Sequence, residues 1–197
     1  LIMNSNERYI CVYGASSDNI ADVYKTSAYQ LGQSLAQLGW NCINGAGSAG
    51  VMRAVSDGFL DARAKAVGVI PQFMIDHGWQ YSRLSQIIAT ADMHERKHTM
   101  AQMSACSIAM PGGCGTLEEL MEIITWKQLS LYSKPLIIFN INHFYDDLLK
   151  QLNHCINERF MKHSHQSLWH VASTVQEVVD FINNYDENSP NAVESKL

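Results

Sequence analysis

The fold is decided by the stretch Met110-Pro111-Gly112-Gly113-Cys114-Gly115-Thr116-Leu117-Glu118-Glu119. It follows the short apolar run 106–110 and leads into a second apolar segment that starts at Leu120. This order predicts a β-strand, a glycine loop and the start of a helix. Three glycines in four positions let the backbone turn sharply and approach a ligand, and the first amides of a helix attract anions. The stretch therefore predicts a site for an anion such as a phosphate.

The same stretch contains a second pattern, because Thr116 and Glu119 form the T-x-x-E of a capping box. In that interpretation the threonine caps the helix and the glutamate bonds back to the amide of the cap residue. The alternative is that Glu119 takes part in chemistry. The spacing alone leaves both interpretations open.

Length and composition indicate one domain. The chain has 197 residues, of which 47% are hydrophobic, and this suits a single α/β domain with a sizeable core. We assign 3–185 to this domain and expect the polar segment 186–197 to be a disordered tail. No apolar run approaches the ~20 residues that a membrane-spanning helix needs, and no secretory signal opens the chain. We therefore expect a soluble, cytoplasmic protein with no membrane contact.

Cysteine content and charge restrict the possible partners. The five cysteines are odd in number and include no C-x-x-C, so neither a disulfide framework nor a zinc knuckle is indicated, and a reducing compartment is expected. The net charge is −5 without a basic cluster, which argues against nucleic-acid binding. A phosphate ligand would have to be held by backbone dipoles and a few cations.

Short, fully apolar segments alternate with segments of helical spacing. This alternation predicts a doubly wound parallel sheet with helices on both faces, whose ligands bind beyond the carboxyl ends of the strands. The segment 72–85 has no clear period and is predicted to be a long loop that lines the site. The predicted strands are 9–13, 41–44, 66–70, 86–90, 106–110, 134–139 and 168–172. The predicted helices are 20–38, 51–64, 92–105, the glycine loop to about 130, 144–159 and 174–185.

A second glycine pattern, Gly45-x-Gly47-x-x-Gly50, matches the dinucleotide fingerprint. It follows the second predicted strand instead of the first, and the next strand ends at Pro71 without the acidic residue that would bind a ribose hydroxyl. We interpret it as a second turn that either favours phosphate or packs tightly, and NAD binding is not expected.

Residues 94–98 match the zinc pattern H-E-x-x-H, and Glu118 follows 20 residues after His98, where some zinc peptidases keep a third ligand. The third ligand would come after an intervening strand and a glycine loop, and Arg96 and Lys97 would bring two positive charges near the metal. We keep a zinc site as the less favoured interpretation.

The helical wheel of this segment makes Arg96 the informative residue. Arg96 shares one face with three methionines, and His94, Glu95 and His98 lie nearly opposite. A guanidinium on an apolar face is costly to bury without an anionic partner, although an exposed arginine is the alternative. We expect the fourth and fifth strands to be near neighbours, so that Arg96 and Lys97 come within reach of the Pro111 loop and Glu119.

Two motifs together resemble a known family. The sequence M-H-E-R-K-H-T-M at 93–100 and P-G-G-C-G-T-L-E-E at 111–119 resemble the paired signature M-x-x-R-K-x-x-M and P-G-G-x-G-T-x-x-E of the Lonely Guy family. These proteins are cytokinin riboside 5′-monophosphate phosphoribohydrolases, long mislabelled as lysine decarboxylases. The likeness covers most of the chain, including the glycine turn at 45–52, Thr125-Trp126 and Lys134-Pro135.

The resemblance implies a Rossmann-like homodimer that hydrolyses the N-glycosidic bond of a nucleoside 5′-monophosphate, without a metal or another cofactor. By position, Arg96 and Glu119 correspond to the catalytic pair. The substrate contacts implied are Lys97, Gly112, Gly113, Cys114, Gly115, Thr116, Leu117, Glu118 and Thr125, to which we add Gly45 and Gly47 of the second glycine turn. AMP and N6-modified AMP are the expected substrates.

The chain departs from the family pattern in two places. The turn usually written G-G-G-x-x-G-L-M-G is here G-A-G-S-A-G-V-M-R at 45–53, and the loop 72–85 lacks a glutamate that plant members place near the ribose. Asp76 is the candidate substitute. A molybdenum-cofactor or nucleotide carrier on the same fold, without catalysis, is the alternative function.

Overall fold

The computed structural model describes residues 7–185, and the predicted tail lies outside this range. The described chain alternates strands and helices almost throughout. The strands are β1 (Arg8–Tyr13), β2 (Trp40–Asn44), β3 (Ala66–Pro71), β4 (Gln86–Thr90), β5 (Cys106–Ala109), β6 (Leu136–Phe139) and β7 (His170–Ala172). The helices are α1 (Asp22–Gln37), α2 (Gly50–Asp61), α3 (Gln72–Asp76), α4 (Met93–Met103), α5 (Cys114–Gln128), α6 (Asp146–Asn157) and α7 (Val175–Asn184).

The seven strands form one parallel sheet in the order β4-β3-β2-β1-β5-β6-β7. The predicted parallel sheet is therefore confirmed. From β1 to β4 the strands are added toward one edge of the sheet, and from β5 to β7 toward the other edge. The switch lies between β1 and β5, where Val12 pairs with Ile108. In open α/β sheets the crevice at such a switch point is where ligands bind.

The prediction that the fourth and fifth strands are near neighbours in the sheet is wrong. β4 is an edge strand, and β3, β2 and β1 separate it from β5. Arg96 and Glu119 nevertheless come together. Helix α4, which connects β4 to β5, crosses the sheet and contacts β3, β2 and β1. A crossover helix can pass several strands, and sequence order alone does not say how many.

Both faces of the sheet are covered, as predicted. Ile10 and Val12 of β1 face a core that α1, α2 and α7 complete, while Tyr9 and Cys11 face the core under α4, α5 and α6. Successive residues of a strand point to opposite faces, so the apolar side chains at every position from Tyr9 to Tyr13 predict burial on both sides.

Two helix details differ from a simple periodic pattern. Gly58 interrupts the apolar pattern of α2 because α1 passes close to it, and an added Cβ there would lie 2.2 Å from the carbonyl oxygen of Tyr29. The predicted loop 72–85 begins with α3, a helix of five residues that is too short to give a periodic signal. Within 7–185, none of the helices combines the length and the apolar character that crossing a membrane requires.

Candidate active site

A cleft of about 590 Å³ opens beyond the carboxyl ends of β1, β2, β3 and β5. Both glycine turns border it, together with the loop that follows β1 and the segment that follows β3. Its lining residues are Gly14, Ala15, Ser16, Ser17, Gly45, Gly47, Ser48, Met52, Ile70, Met74, Gly78, Trp79, Arg96, Gly113, Gly115, Thr116 and Glu119. The cleft therefore lies at the topological switch point, where the strand pattern predicted the site.

Arg96 and Glu119 meet in the wall of this cleft. Nη1 of Arg96 lies 3.3 Å from Oε1 of Glu119, and the two residues are each only 7% exposed. Nε of Arg96 donates to the carbonyl oxygen of Val69 at 3.1 Å, at the end of β3. The guanidinium is thus held between a strand end and a carboxylate. Arg96 projects from the same face of α4 as Met93, as the helical wheel predicted, and it is buried there.

The start of α4 is fixed by its own cap, which sets the direction of Arg96. The Asp92 side chain accepts hydrogen bonds from the amides of His94 and Glu95, both at 2.8 Å. An aspartate at this position satisfies two amides that have no acceptor inside the helix. Arg96 follows one turn later and is directed into the fold.

The Glu119 carboxyl titrates far from its ordinary range. Burial raises its pKa from 4.5 to about 7, and the nearby Arg96 guanidinium opposes the shift. The carboxylate of Glu118 adds a smaller upward contribution. A carboxyl group with a pKa near neutrality can exchange a proton with a substrate or water at physiological pH.

The structure excludes the capping-box interpretation of Thr116 and Glu119. Helix α5 begins at Cys114 after an extended Gly113, three residues earlier than that pattern requires, and no side chain caps it. Thr116 is thus the third residue of the helix, and Glu119 points to Arg96. The glycines explain the difference, because an N-cap glycine needs no side-chain partner to start a helix.

The glycine loop before α5 divides into a packed and an open part. A Cβ on Gly112 would lie 2.1 Å from Oγ1 of Thr116, whereas a Cβ on Gly113 or Gly115 would meet nothing within 4 Å. The open glycines face the cleft, and the first amides of α5 have no acceptor within the helix. This end of the cleft offers backbone donors and a positive helix terminus to an anion.

The second glycine turn makes room for Arg96. A Cβ on Gly45 would lie 1.8 Å from Nη2 of Arg96, so only glycine allows the guanidinium to rest against this turn. The turn itself is held by Asn44, whose Oδ1 accepts from the amide of Ala46 at 2.9 Å. Gly45 and Gly47 both line the cleft. The fingerprint-like pattern therefore has a packing role beside the arginine.

Lys97 lies next to Arg96 on α4 but faces α5. Its Nζ forms ion pairs with Glu118 and, at 3.2 Å, with Glu122, and the side chain is 6% exposed. The pair of carboxylates raises the pKa of the Lys97 ammonium against the lowering effect of burial. Lys97 is not among the residues that line the cleft.

Three other predicted substrate contacts, Thr125, Leu117 and Cys114, also lie outside the cleft lining. The Thr125 hydroxyl donates to the carbonyl oxygen of Met121 at 2.8 Å on an exposed part of α5. Leu117 packs against the core, and Cys114 is an exposed free thiol at the helix start. Asp76, the candidate substitute for the family glutamate, accepts from the Gln72 amide at 2.8 Å and is not part of the lining.

The residues of the zinc pattern are dispersed. Glu95 accepts from the amide of Ala91 at 2.6 Å, His98 packs edge-on against Trp126, and Glu118 binds Lys97. In the part of the chain that the structure describes, no group of three or more histidine, cysteine or acidic side chains could hold a metal ion.

Sequence reasoning missed part of the lining. The loop after β1, 14–17, borders the cleft, although the sequence motifs did not point to it. An apolar group on α2, at the end of β3 and after β3 also borders the cleft, and its members Met74 and Trp79 confirm the prediction that the segment 72–85 lines the site. The apolar group consists of Met52, Ile70, Met74 and Trp79. The signal available was the β-turn-α pattern at 9–38, which places a turn at the carboxyl end of the first strand.

Comparison with known proteins finds a matching family model and named relatives. The model of a family described as "Possible lysine decarboxylase" matches residues 52–182. The Arabidopsis thaliana protein named cytokinin riboside 5′-monophosphate phosphoribohydrolase LOG5 is 36% identical over 93% of this chain and 81% of its own length. The chain belongs to the Lonely Guy family. The rice member of the family named LOG is 36% identical over 89% of this chain and 72% of its own length.

Solved structures share the fold at lower identity. The molybdenum cofactor binding protein from Rippkaea orientalis superposes with a TM-score of 0.71 and 24% identity, over 91% of this chain and 98% of that protein. The molybdenum cofactor carrier protein of Chlamydomonas reinhardtii gives a TM-score of 0.68 and 22% identity, over 91% of this chain and 97% of that protein. At these identities the likeness supports the Rossmann-like fold.

Proposed function

We propose that this Lonely Guy protein hydrolyses the N-glycosidic bond of a nucleoside 5′-monophosphate, either AMP or an N6-modified AMP. The products are the free base and ribose 5-phosphate. One observation carries the proposal: Arg96 and Glu119 form a buried pair in the wall of a cleft that also contains a free helix terminus. The relatives named as cytokinin riboside 5′-monophosphate phosphoribohydrolases support the same reaction.

The substrate phosphate binds at the glycine end of the cleft. The open Gly113 and Gly115 allow it to approach the backbone, and the amides of the first turn of α5 donate to it. This arrangement suits a chain of net charge −5, since it needs no cluster of basic side chains. The ribose then lies over Glu119 and Arg96.

Glu119 acts on the ribose in its ionised form. As the C1′–N bond breaks, its electron pair moves to the base and positive charge develops on the sugar. A carboxylate either stabilises that charge or takes a proton from the attacking water, and both roles need the charged form of Glu119. Water supplies the hydroxyl at C1′ and a proton to the departing base, which balances the reaction.

Arg96 keeps this carboxylate available. Burial favours the neutral acid, and the guanidinium at 3.3 Å offsets part of that cost. Nε of Arg96 binds Val69 and Nη1 binds Glu119, which leaves the N–H groups of Nη2 to bind oxygen atoms of the substrate.

Two other activities fit the cleft less well. Lysine decarboxylation needs a lysine that binds pyridoxal phosphate, and no lysine is among the described residues that line the cleft. A molybdenum-cofactor carrier shares the fold but would bind a phosphorylated ligand without turnover. The buried acid with a pKa of about 7 favours an enzyme over a carrier.

We also propose a cytoplasmic homodimer. All five cysteines are free, and three of them are buried, which suits a reducing compartment. Sedimentation equilibrium on the purified protein tests the dimer: a mass twice that of the 22.1 kDa chain supports it, and a mass equal to one chain contradicts it.

The decisive experiment assays base release from a panel of nucleoside 5′-monophosphates, with and without an N6 substituent. Release of adenine together with an equal amount of ribose 5-phosphate supports the proposal. Tight binding of a nucleotide without any release would favour the carrier instead.

A further inference from the structure

One wall of the cleft is apolar, and the mechanism above does not use it. It consists of Met52, Ile70, Met74 and Trp79. Trp79 is the largest of these side chains, and it is 51% exposed although it lines a cleft. An indole face left open in a nucleotide-sized cleft can stack on a planar aromatic ring.

This wall and the glycine loop lie at opposite ends of the cleft. Met74 and Trp79 follow β3, whereas the glycine loop follows β5, and β2 and β1 lie between the two strands. Three strand spacings of ~4.8 Å give a separation of about 14 Å. A phosphate, a ribose and a purine in a row can span this distance.

Arg96 occupies the middle of that span. Its guanidinium reaches from the carbonyl oxygen of Val69, next to Ile70 at the end of β3, to Glu119 on α5. With the phosphate at the glycine loop and the ribose over the Arg96–Glu119 pair, the base must extend toward the apolar wall.

The segment that carries Trp79 is firmly attached to the rest of the fold. The next residue, Gln80, pairs with Gly47 in an isolated bridge, and the amide of Tyr81 donates to the carbonyl oxygen of Ala46 at 2.9 Å. The Tyr81 hydroxyl donates to Asp57 of α2 at 2.6 Å. Arg83 binds the same carboxylate at 2.5 Å and Asp61 at 2.7 Å.

These contacts keep the wall in place before a ligand arrives. The amide of Trp79 donates to the carbonyl oxygen of Met74 at 3.2 Å, and the indole packs against His77 with ring centroids 5.0 Å apart. A ring held in this way loses little freedom when it binds, so its contact contributes to affinity.

We propose that Trp79 stacks on the nucleobase of the bound nucleotide and sets the affinity for it. The inference rests on the proposed phosphoribohydrolase function and adds a residue for recognition of the base. Stacking does not depend on hydrogen-bond pattern, so Trp79 favours purines by their larger ring area and tolerates substituents on the purine.

The kinetic test compares Trp79→Ala and Trp79→Phe with the unaltered protein on AMP. Losing an aromatic partner of a base costs ~1–3 kcal/mol, which corresponds to a rise in KM of about 5- to 150-fold for Trp79→Ala, with kcat little changed. Trp79→Phe retains a ring and should show a smaller rise. Phe160→Ala is the matched control, because Phe160 is an aromatic side chain 84% exposed outside the cleft.

Inhibition by ribose 5-phosphate separates base stacking from a general effect on the cleft. This product has no base, so its inhibition constant should be the same in Trp79→Ala and in the unaltered protein. Equal weakening of AMP and ribose 5-phosphate, or an unchanged KM for AMP, would overturn the inference.

A binding measurement separates this inference from the proposed function. In the Glu119→Gln background AMP should quench tryptophan fluorescence, and Trp79→Phe should remove the quench while the other three tryptophans remain. A quench that depends on Trp79, together with no base release by the unaltered protein, would leave the stacking standing and refute the hydrolase. Base release with no Trp79-dependent quench would do the reverse.

Discussion

The guanidinium of Arg96 lies 3.3 Å from the carboxylate of Glu119, although the two residues follow strands that are not neighbours in the sheet. Arg96 lies in the first turn of α4 beside the end of β3, and its side chain extends from there to Glu119 on α5. Both side chains are buried, so each is the principal charged partner of the other at that point. The chemistry proposed for this protein depends on this contact.

The activity should depend on pH through the ionisation of Glu119. Both roles considered for this residue need the carboxylate, and burial raises the pKa of the carboxyl to about 7. We therefore expect kcat/KM for AMP to rise as the pH increases through about 7 and to level off above it. Initial rates across pH 5 to pH 9 check this, and a rate that is already maximal at pH 5 would contradict it.

The same ionisation should affect stability. A carboxyl whose pKa is raised on folding contributes stability below its ordinary pKa of 4.5, and the contribution is lost as pH rises through about 7. The free energy of unfolding of the unaltered protein should fall over this range more steeply than that of Glu119→Gln. Urea titrations of both proteins at several pH values measure the difference, and identical slopes would contradict it.

Gly45→Ala should lower activity without unfolding the protein. The added methyl group would lie 1.8 Å from Nη2 of Arg96, and the guanidinium is the end of a flexible side chain that can move away. A displacement of about 1 Å in a catalytic group costs roughly 10²-fold in rate. We expect a loss of that order in kcat, with the melting temperature within a few degrees of the unaltered protein.

Two results for Gly45→Ala would contradict this prediction. If the alanine variant were fully active, Arg96 could leave the turn without consequence, and its position against Gly45 would have no bearing on catalysis. Loss of the folded state, seen by circular dichroism, would mean that the turn and not the arginine gave way.

Lys97→Met should move the pH profile instead of abolishing binding. Lys97 pairs with Glu118 and Glu122, and its charge lowers the pKa of Glu119. Without it, two unpaired carboxylates remain near Glu119, so the rise of activity should shift to higher pH. At a pH high enough to ionise Glu119 fully, the KM for AMP should change little if Lys97 acts only through these carboxylates.

A surface lysine provides the control for this variant. Lys150→Met removes an exposed ion pair with Asp147 on α6 and should leave both the pH profile and KM unchanged. A large increase in KM for Lys97→Met, with an unshifted profile, would support the direct substrate contact that the family resemblance implies.

The sequence was sufficient for the elements and for the location of the glycine loop. β1 is apolar at every position after Arg8, so its burial on both faces could be predicted without knowing which elements pack on it. The Pro111 loop between an apolar run and a helix predicted a ligand site at a strand end, and the cleft opens there. Local patterns carry this information because they depend on neighbours in the chain.

Features that depend on distant residues were predicted less well. The T-x-x-E spacing of Thr116 and Glu119 could not show that Gly113 starts the helix and that Arg96 provides the partner for the acid. The strand order could not be obtained from the alternation of strands and helices, since a crossover helix can pass one strand or several. The segment 72–85 was correctly predicted to line the site, but its lack of periodicity did not show which of its side chains face the cleft. Tyr81 and Arg83 bind Asp57 and hold the segment in the position where Trp79 lines the cleft.

The most direct test of the account is adenine release from AMP by the unaltered protein and by Glu119→Gln, measured side by side. The glutamine keeps the size of the side chain and an oxygen that can face Arg96, but it cannot ionise. We expect a loss of about 10²- to 10⁴-fold in kcat with the fold retained, and no comparable loss in the exposed control Glu158→Gln. A Glu119→Gln protein that released adenine at the unaltered rate would contradict the central claim.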